Sequence, residues 1–110
     1  METLVEIDAG ECGFYANAKA CCEDGQHVSF LVDSNCEKIC TLGKVLRHAE
    51  PVDAYVEIAS GPKGRLLAIC SEILPGCCSG CIVPAALVRA MRVAAGLSLP
   101  RDVAIHFHNP

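Results

Sequence analysis

Cysteine is the residue in this chain with the most chemistry to offer: nine of 110 positions carry a thiol, a density approaching that of disulfide or metal scaffolds. Three groups stand apart. Cys12 follows Gly10-Glu11, Cys36 and Cys40 lie four residues apart, and Cys77-Cys78-Ser79-Gly80-Cys81 packs three thiols into five residues. An i, i+4 pair on a helix projects both sulfurs from one side, near enough for one ion or for two atoms of one cluster. A Cys-x-x-Cys containing glycine can curl so that its sulfurs point inward together. Metals require thiolate, and Cys36, read as first-turn helix, gains from the unsatisfied N–H groups and positive dipole end there. Tetrahedral zinc needs four N or S ligands and a four-iron cluster four thiolates. Cys36, Cys40, Cys78 and Cys81 would complete either, with Cys12 able to replace Cys40.

Packing competes with ligation for every thiol, because free cysteine is among the most buried residue types. Cys22 and Cys70 sit inside apolar-periodic stretches and read as core. Cys21 falls on the opposite strand face from Cys22. Cys40 suits a core-facing position as well as a ligand position. The histidines offer less: His106 and His108 share one face of a terminal alternating segment, and His27 and His48 are single surface residues. Asp8, Glu11, Glu23 and Asp24 form no spaced pair, so no acid–base catalysis is read from them. Gly61-Pro62-Lys63-Gly64 lacks the pattern of a phosphate loop. Arg65, Arg89, Arg92 and Arg101 are scattered among acidic residues and read as surface or helix-flank charges.

These thiols must be positioned by elements whose periods are legible. Thr3, Val5 and Ile7 alternate with Leu4, Glu6 and Asp8, and Phe14 to Cys22 alternates likewise, predicting two strands. Glu23-Asp24-Gly25-Gln26 carries a turn signal before a third strand over Val28 to Asp33, making a hairpin. Ser34-Asn35-Cys36-Glu37 fits a capping box, so a helix is expected from there to His48 or Ala49, before Pro51. Val52 to Ser60 is ambiguous between strand and helix, with Asp53 as a cap favouring the helix. Arg65 to Leu74 reads as helix, stopped by Pro75-Gly76. Ala85 to Ala95 reads as helix after Pro84, with Gly96 as its cap. Val103, Ile105 and Phe107 alternate with Ala104, His106 and His108, predicting a last strand that rejoins the sheet. The expected class is α+β: a mostly antiparallel sheet of about four strands with helices packed on one face.

Composition bounds the rest. At 11.6 kDa the chain supports a single domain, residues 1–110, with one core. A hydrophobic fraction of 52% excludes disorder. Aromatics are 5% with no Trp, so no base-stacking platform is evident. A net charge of −4 argues against nucleic acid as a partner. No run approaches a membrane span, and Met1 to Glu6 lacks the marks of a signal peptide. The chain therefore reads as cytoplasmic, where disulfides are disfavoured, and an odd number of thiols cannot pair completely within one chain.

At Cys12-Gly13-Phe14, Ser34-Asn35-Cys36, Cys81-Ile82-Val83-Pro84 and Leu99-Pro100-Arg101-Asp102-Val103 the chain resembles an uncharacterised family of small proteins found mainly in anaerobic bacteria and archaea. The resemblance spans nearly the whole length and places family cysteines on Cys12, Cys36 and Cys81. It assigns no activity, and it departs at Glu37 and Ile82, where the family often has proline. The family also tends to carry His near Cys77 and Cys78, an exchange of one metal-ligand type for another. Three functions are weighed. The first is a small metal-binding protein holding zinc or an iron–sulfur cluster through Cys12, Cys36 and Cys81, with a fourth ligand from Cys40, Cys77 or Cys78. Its role would be structural, storage or carrier, and a homodimer sharing the site stays open. The second is a redox or persulfide-carrying protein with Cys81 or Cys36 as the reactive thiol. The third is an interaction module whose cysteines only pack.

Overall fold

Period-two alternation in the first third of the chain becomes an antiparallel meander. A computed structural model describes residues 1–109, the side chain of Cys77 excepted. Its strands are β1 (Glu2–Asp8), β2 (Tyr15–Cys22), β3 (His27–Ser34) and the short β4 (Val52–Asp53), lying side by side in chain order. Register carries the alternation across the sheet: Val5 faces Ala18, which faces Val32, and Ile7, Ala16 and Ser34 form the next row. Ala16, Ala18, Ala20, Cys22, Val28 and Phe30 point inward and are buried, while Glu6, Asn17, Lys19 and Asp33 line the other face.

The chain has four α-helices, of which α1 and α4 cover the inward face and α3 packs on both: α1 (Glu37–His48), α2 (Ala54–Ser60), α3 (Arg65–Ile73) and α4 (Val83–Ala94). Helix α1 lies on β3 and α4 crosses β2 and β1. The alanines of β2 lower the sheet surface where α4 seats Leu87, Ala90, Met91 and Ala94. Gly43 does the same for α1, since a Cβ there would meet the Val32 carbonyl oxygen at 3.1 Å and its Cβ at 3.2 Å. That approach is tighter than most side-chain contacts, so a larger residue at this position would have to push Val32 back by a few tenths of an ångström. No helix among the described residues is long and apolar enough to cross a membrane.

The hairpin, α1, α3 and α4 follow the sequence expectation, as does Asp53, whose carboxylate caps α2 by accepting from the Tyr55 and Val56 N–H groups. Gly96 adopts φ +78°. The N–H groups of Gly96 and Leu97 donate to the Val93 and Arg92 carbonyls, closing α4 with a Schellman motif.

Two expectations are corrected. The capping box does not form: Ser34 stays in β3, opposite Ala16. Its hydroxyl donates to the Tyr15 carbonyl and accepts from the Cys36 N–H at 3.0 Å. Helix α1 therefore starts later, at Glu37, with Cys36 as N-cap rather than in the first turn. The last strand does not rejoin the sheet either. Residues 101–109 have no regular structure and are exposed, and the fourth strand is β4 instead. Alternation reports which face of a segment is apolar; whether a sheet edge lies within its reach is a tertiary matter.

Candidate thiol site

Three irregular stretches place the thiols at one end of the fold. Cys12 closes a 3₁₀ turn, Gly10–Cys12, whose Gly13 N–H donates back to the Gly10 carbonyl. Asn35 ties that stretch to the start of α1, because its side-chain carbonyl accepts the Tyr15 N–H at 2.9 Å, leaving Cys36 beside it as the helix N-cap. The third stretch is the 3₁₀ turn Gly76–Gly80, in which the Cys81 N–H donates to the Cys78 carbonyl at 3.0 Å. This bond curls Cys78-Ser79-Gly80-Cys81 into a compact turn just before α4.

Cys81 stands at the centre of the group. Burial raises its pKa first of all; a backbone N–H at Val83 acts the other way, and charges on Cys12, Cys78 and Cys36 raise it further. Thiols from distant parts of the sequence thus lie within charge-interaction range of one sulfur. Cys36, Cys78 and Cys81 also pack, partly buried, against the hydrophobic core, whereas Cys12 is exposed. All eight cysteines with described side chains are free thiols. Among the described residues, no group of three or more His, Cys, Asp or Glu side chains is drawn in closely enough to hold a metal ion. The thiols are neighbours at a distance greater than ligation demands.

Not every candidate joins. Cys40 turns its thiol to the Ser34 carbonyl, 3.0 Å away. It lines a different groove, which runs over β1, β2 and β3 beside α1. Cys36 and Cys40 are one helical turn apart, yet the first caps the helix and the second faces the strand end. Cys77 lies in the Gly76–Gly80 turn, and its side chain lies outside the described structure.

Two contributions escaped the sequence reading. Cys70 is buried, in keeping with a packing residue, but the Cys81 charge reaches it; burial first and that charge second push its thiol up to about 11. Cys70, Cys78 and Cys81 line a cleft of about 640 Å³ between α3 and α4. Arg89 and Arg92 form part of its wall, and the Arg92 Nε is buried with no hydrogen-bond partner among the described residues. The signal for this wall was present in the sequence: Ala85, Val88, Arg89 and Arg92 recur at helical spacing along one side of α4.

Glu57 positions the other wall. It is a buried carboxylate whose oxygens accept the Arg65 N–H at 3.0 Å and the Leu66 N–H. It thereby supplies the N-terminal cap that Gly64 lacks a side chain to provide. Gly64 allows the approach, since a Cβ there would meet the Glu57 carboxylate at 3.2–3.3 Å.

No curated protein and no solved structure matches the chain. The model of a family of unknown function, DUF6951, matches residues 3–107, and the chain belongs to that family.

Proposed function

We propose that this family member binds a thiophilic metal centre, a zinc ion or an iron–sulfur cluster, through the thiolates of Cys12, Cys36, Cys78 and Cys81. The observation that carries the reading is the convergence of Cys12, Cys36 and Cys78 on Cys81 from separate elements. The donor set has the chemistry for either centre, since four thiolates complete a zinc site or hold a four-iron cluster. A bound cation favours thiolate over thiol at such positions, so metal binding releases the protons these cysteines otherwise hold. Ligation would then draw in the Gly10–Cys12 and Gly76–Gly80 turns, short elements with few backbone bonds to break. Arg89 and Arg92 at the cleft wall offset the net negative charge that four thiolates leave on a bound metal.

Thiol catalysis fits less well. A reactive cysteine needs a lowered pKa, whereas Cys81 is shifted upward by burial and by its neighbours.

Purification without oxygen, followed by metal analysis and visible spectroscopy, tests the proposal. Expected is about one zinc per chain or the broad charge-transfer absorption of an iron–sulfur cluster. Cys81→Ser should abolish the metal content and Cys40→Ser should leave it intact. Metal-free protein in which Cys12, Cys36, Cys78 and Cys81, the four accessible or partly accessible thiols of the site, are all alkylated in the folded state would overturn the assignment.

A further inference from the structure

The C-terminal segment is built like a strand and has no strand beside it. Val103, Ile105 and Phe107 are 59%, 66% and 89% exposed, and in an extended conformation they would fall on one side of the segment, with Asp102, Ala104, His106 and His108 on the other. The family match runs through residue 107, so this segment belongs to the family's domain.

The complement of such a segment is present in the same chain. Strand β1 is the free edge of the sheet along all seven residues, with β2 on one side only. An uncovered edge presents a row of unpaired N–H and C=O groups that template another strand. Its inward residues Thr3 and Val5 are only partly buried, whereas the inward residues Ala16, Ala18 and Ala20 of β2 are fully buried. The core is thus incompletely covered at this edge. Its outward residues include Glu2, Glu6 and Asp8, all exposed. A strand laid on β1 with Val103, Ile105 and Phe107 inward would extend the apolar row of Val5 and Ile7. It would also set His106 and His108 on the face that carries those three carboxylates.

We propose that residues 101–108 of one copy pair with β1 of a second copy, and that two copies exchange these segments reciprocally to form a closed dimer. The chain's own segment runs free of its own sheet, exposed along its length. Each copy therefore offers one unpaired strand and one unpaired edge, and a two-fold arrangement satisfies both. Neither partner in this exchange includes a cysteine of the thiol site, so the inference stands apart from the metal proposal.

Sedimentation equilibrium of the full chain under reducing conditions, combined with hydrogen exchange, tests this. Twice the chain mass is expected, with amides of β1 and of residues 103–107 protected together and losing protection on dilution. Ile105→Asp should weaken the dimer at least about tenfold with the helical far-ultraviolet signal retained. Ala104→Ser, on the opposite side of the segment, should leave the dimer as it is. A wild-type monomer with unprotected 103–107 amides overturns the proposal. So does a monomer in which those amides are protected, which would place the segment on its own edge, and so does a dimer indifferent to Ile105→Asp.

Discussion

The β2–β3 hairpin and the thiol end of the fold handle the same residue type in opposite ways. In the hairpin, Cys22 sits in the inward row with Ala16, Ala18 and Ala20, buried and regular, and packs as a small apolar side chain. At the other end Cys12, Cys36, Cys78 and Cys81 occupy 3₁₀ turns and their flanks or a helix N-cap, where backbone regularity breaks and sulfur stays partly accessible. Cys70 stands between the two, inside a helix and buried, yet close enough to Cys81 to feel its charge. The element that carries a cysteine, more than its sequence spacing, separates packing from chemistry.

The sharpest way to break this contrast is to open the regular core. Leu87 is fully buried where α4 meets the sheet, so Leu87→Ala should cost about 3 kcal/mol in denaturant unfolding. A loss below about 1 kcal/mol would mean that α4 does not depend on that contact.

Cysteine substitutions address the comparison itself. Cys70→Ser places a hydroxyl in a buried apolar site and should cost about 2 kcal/mol. Cys12→Ser, at an exposed position, should change the stability of the metal-free chain by less than about 0.5 kcal/mol. Equal losses would erase the distinction between the two populations. Helix α3, which carries Cys70, has its first N–H groups capped by the Glu57 carboxylate, so Glu57→Ala should destabilise by about 1–2 kcal/mol. Glu57→Gln, which keeps one acceptor, should recover part of that in the same unfolding assay.

The smallest effect lies at the solvated hairpin turn. His27 Nδ1 and Asp24 Oδ2 are 2.6 Å apart. Donating its ring N–H to the Asp24 carboxylate raises the His27 pKa above its ordinary 6.5, while the His27 backbone N–H, then its side chain, hold Asp24 below its ordinary 3.8. The contribution of His27 to stability is therefore complete below pH 6.5 and is lost as pH rises through its raised value. That of Asp24 is complete above pH 3.8 and is lost as pH falls through its lowered value. The pair supports the turn most between those two limits. In an NMR titration, Asp24→Asn should bring His27 back toward its ordinary pKa; an unmoved His27 would show that the contact does not persist in water.

Local periods specified much of this molecule. Alternation over residues 3–8, 14–22 and 28–33, the Asp24-Gly25 turn, Asp53 before α2, and Pro84 and Gly96 around α4 each act within a few residues, and each appears in the structure as the sequence implies. The clustering of thiols at element ends was legible for the same reason, because turns and caps have local signatures. Tertiary structure decided everything that depends on two distant surfaces meeting. Cys36 and Cys40 share a helical face by spacing, but the end of β3 engages Ser34 and Cys40 and leaves Cys36 with Cys81. Cys70 joins the cleft only because α3 packs against α4, and Glu57 caps a helix eight residues downstream. Residues 103–107 alternate as well as any strand in the chain and still find no edge in their own fold. A pattern encodes what a segment can bury, and only the assembled backbone determines what is there to bury it against.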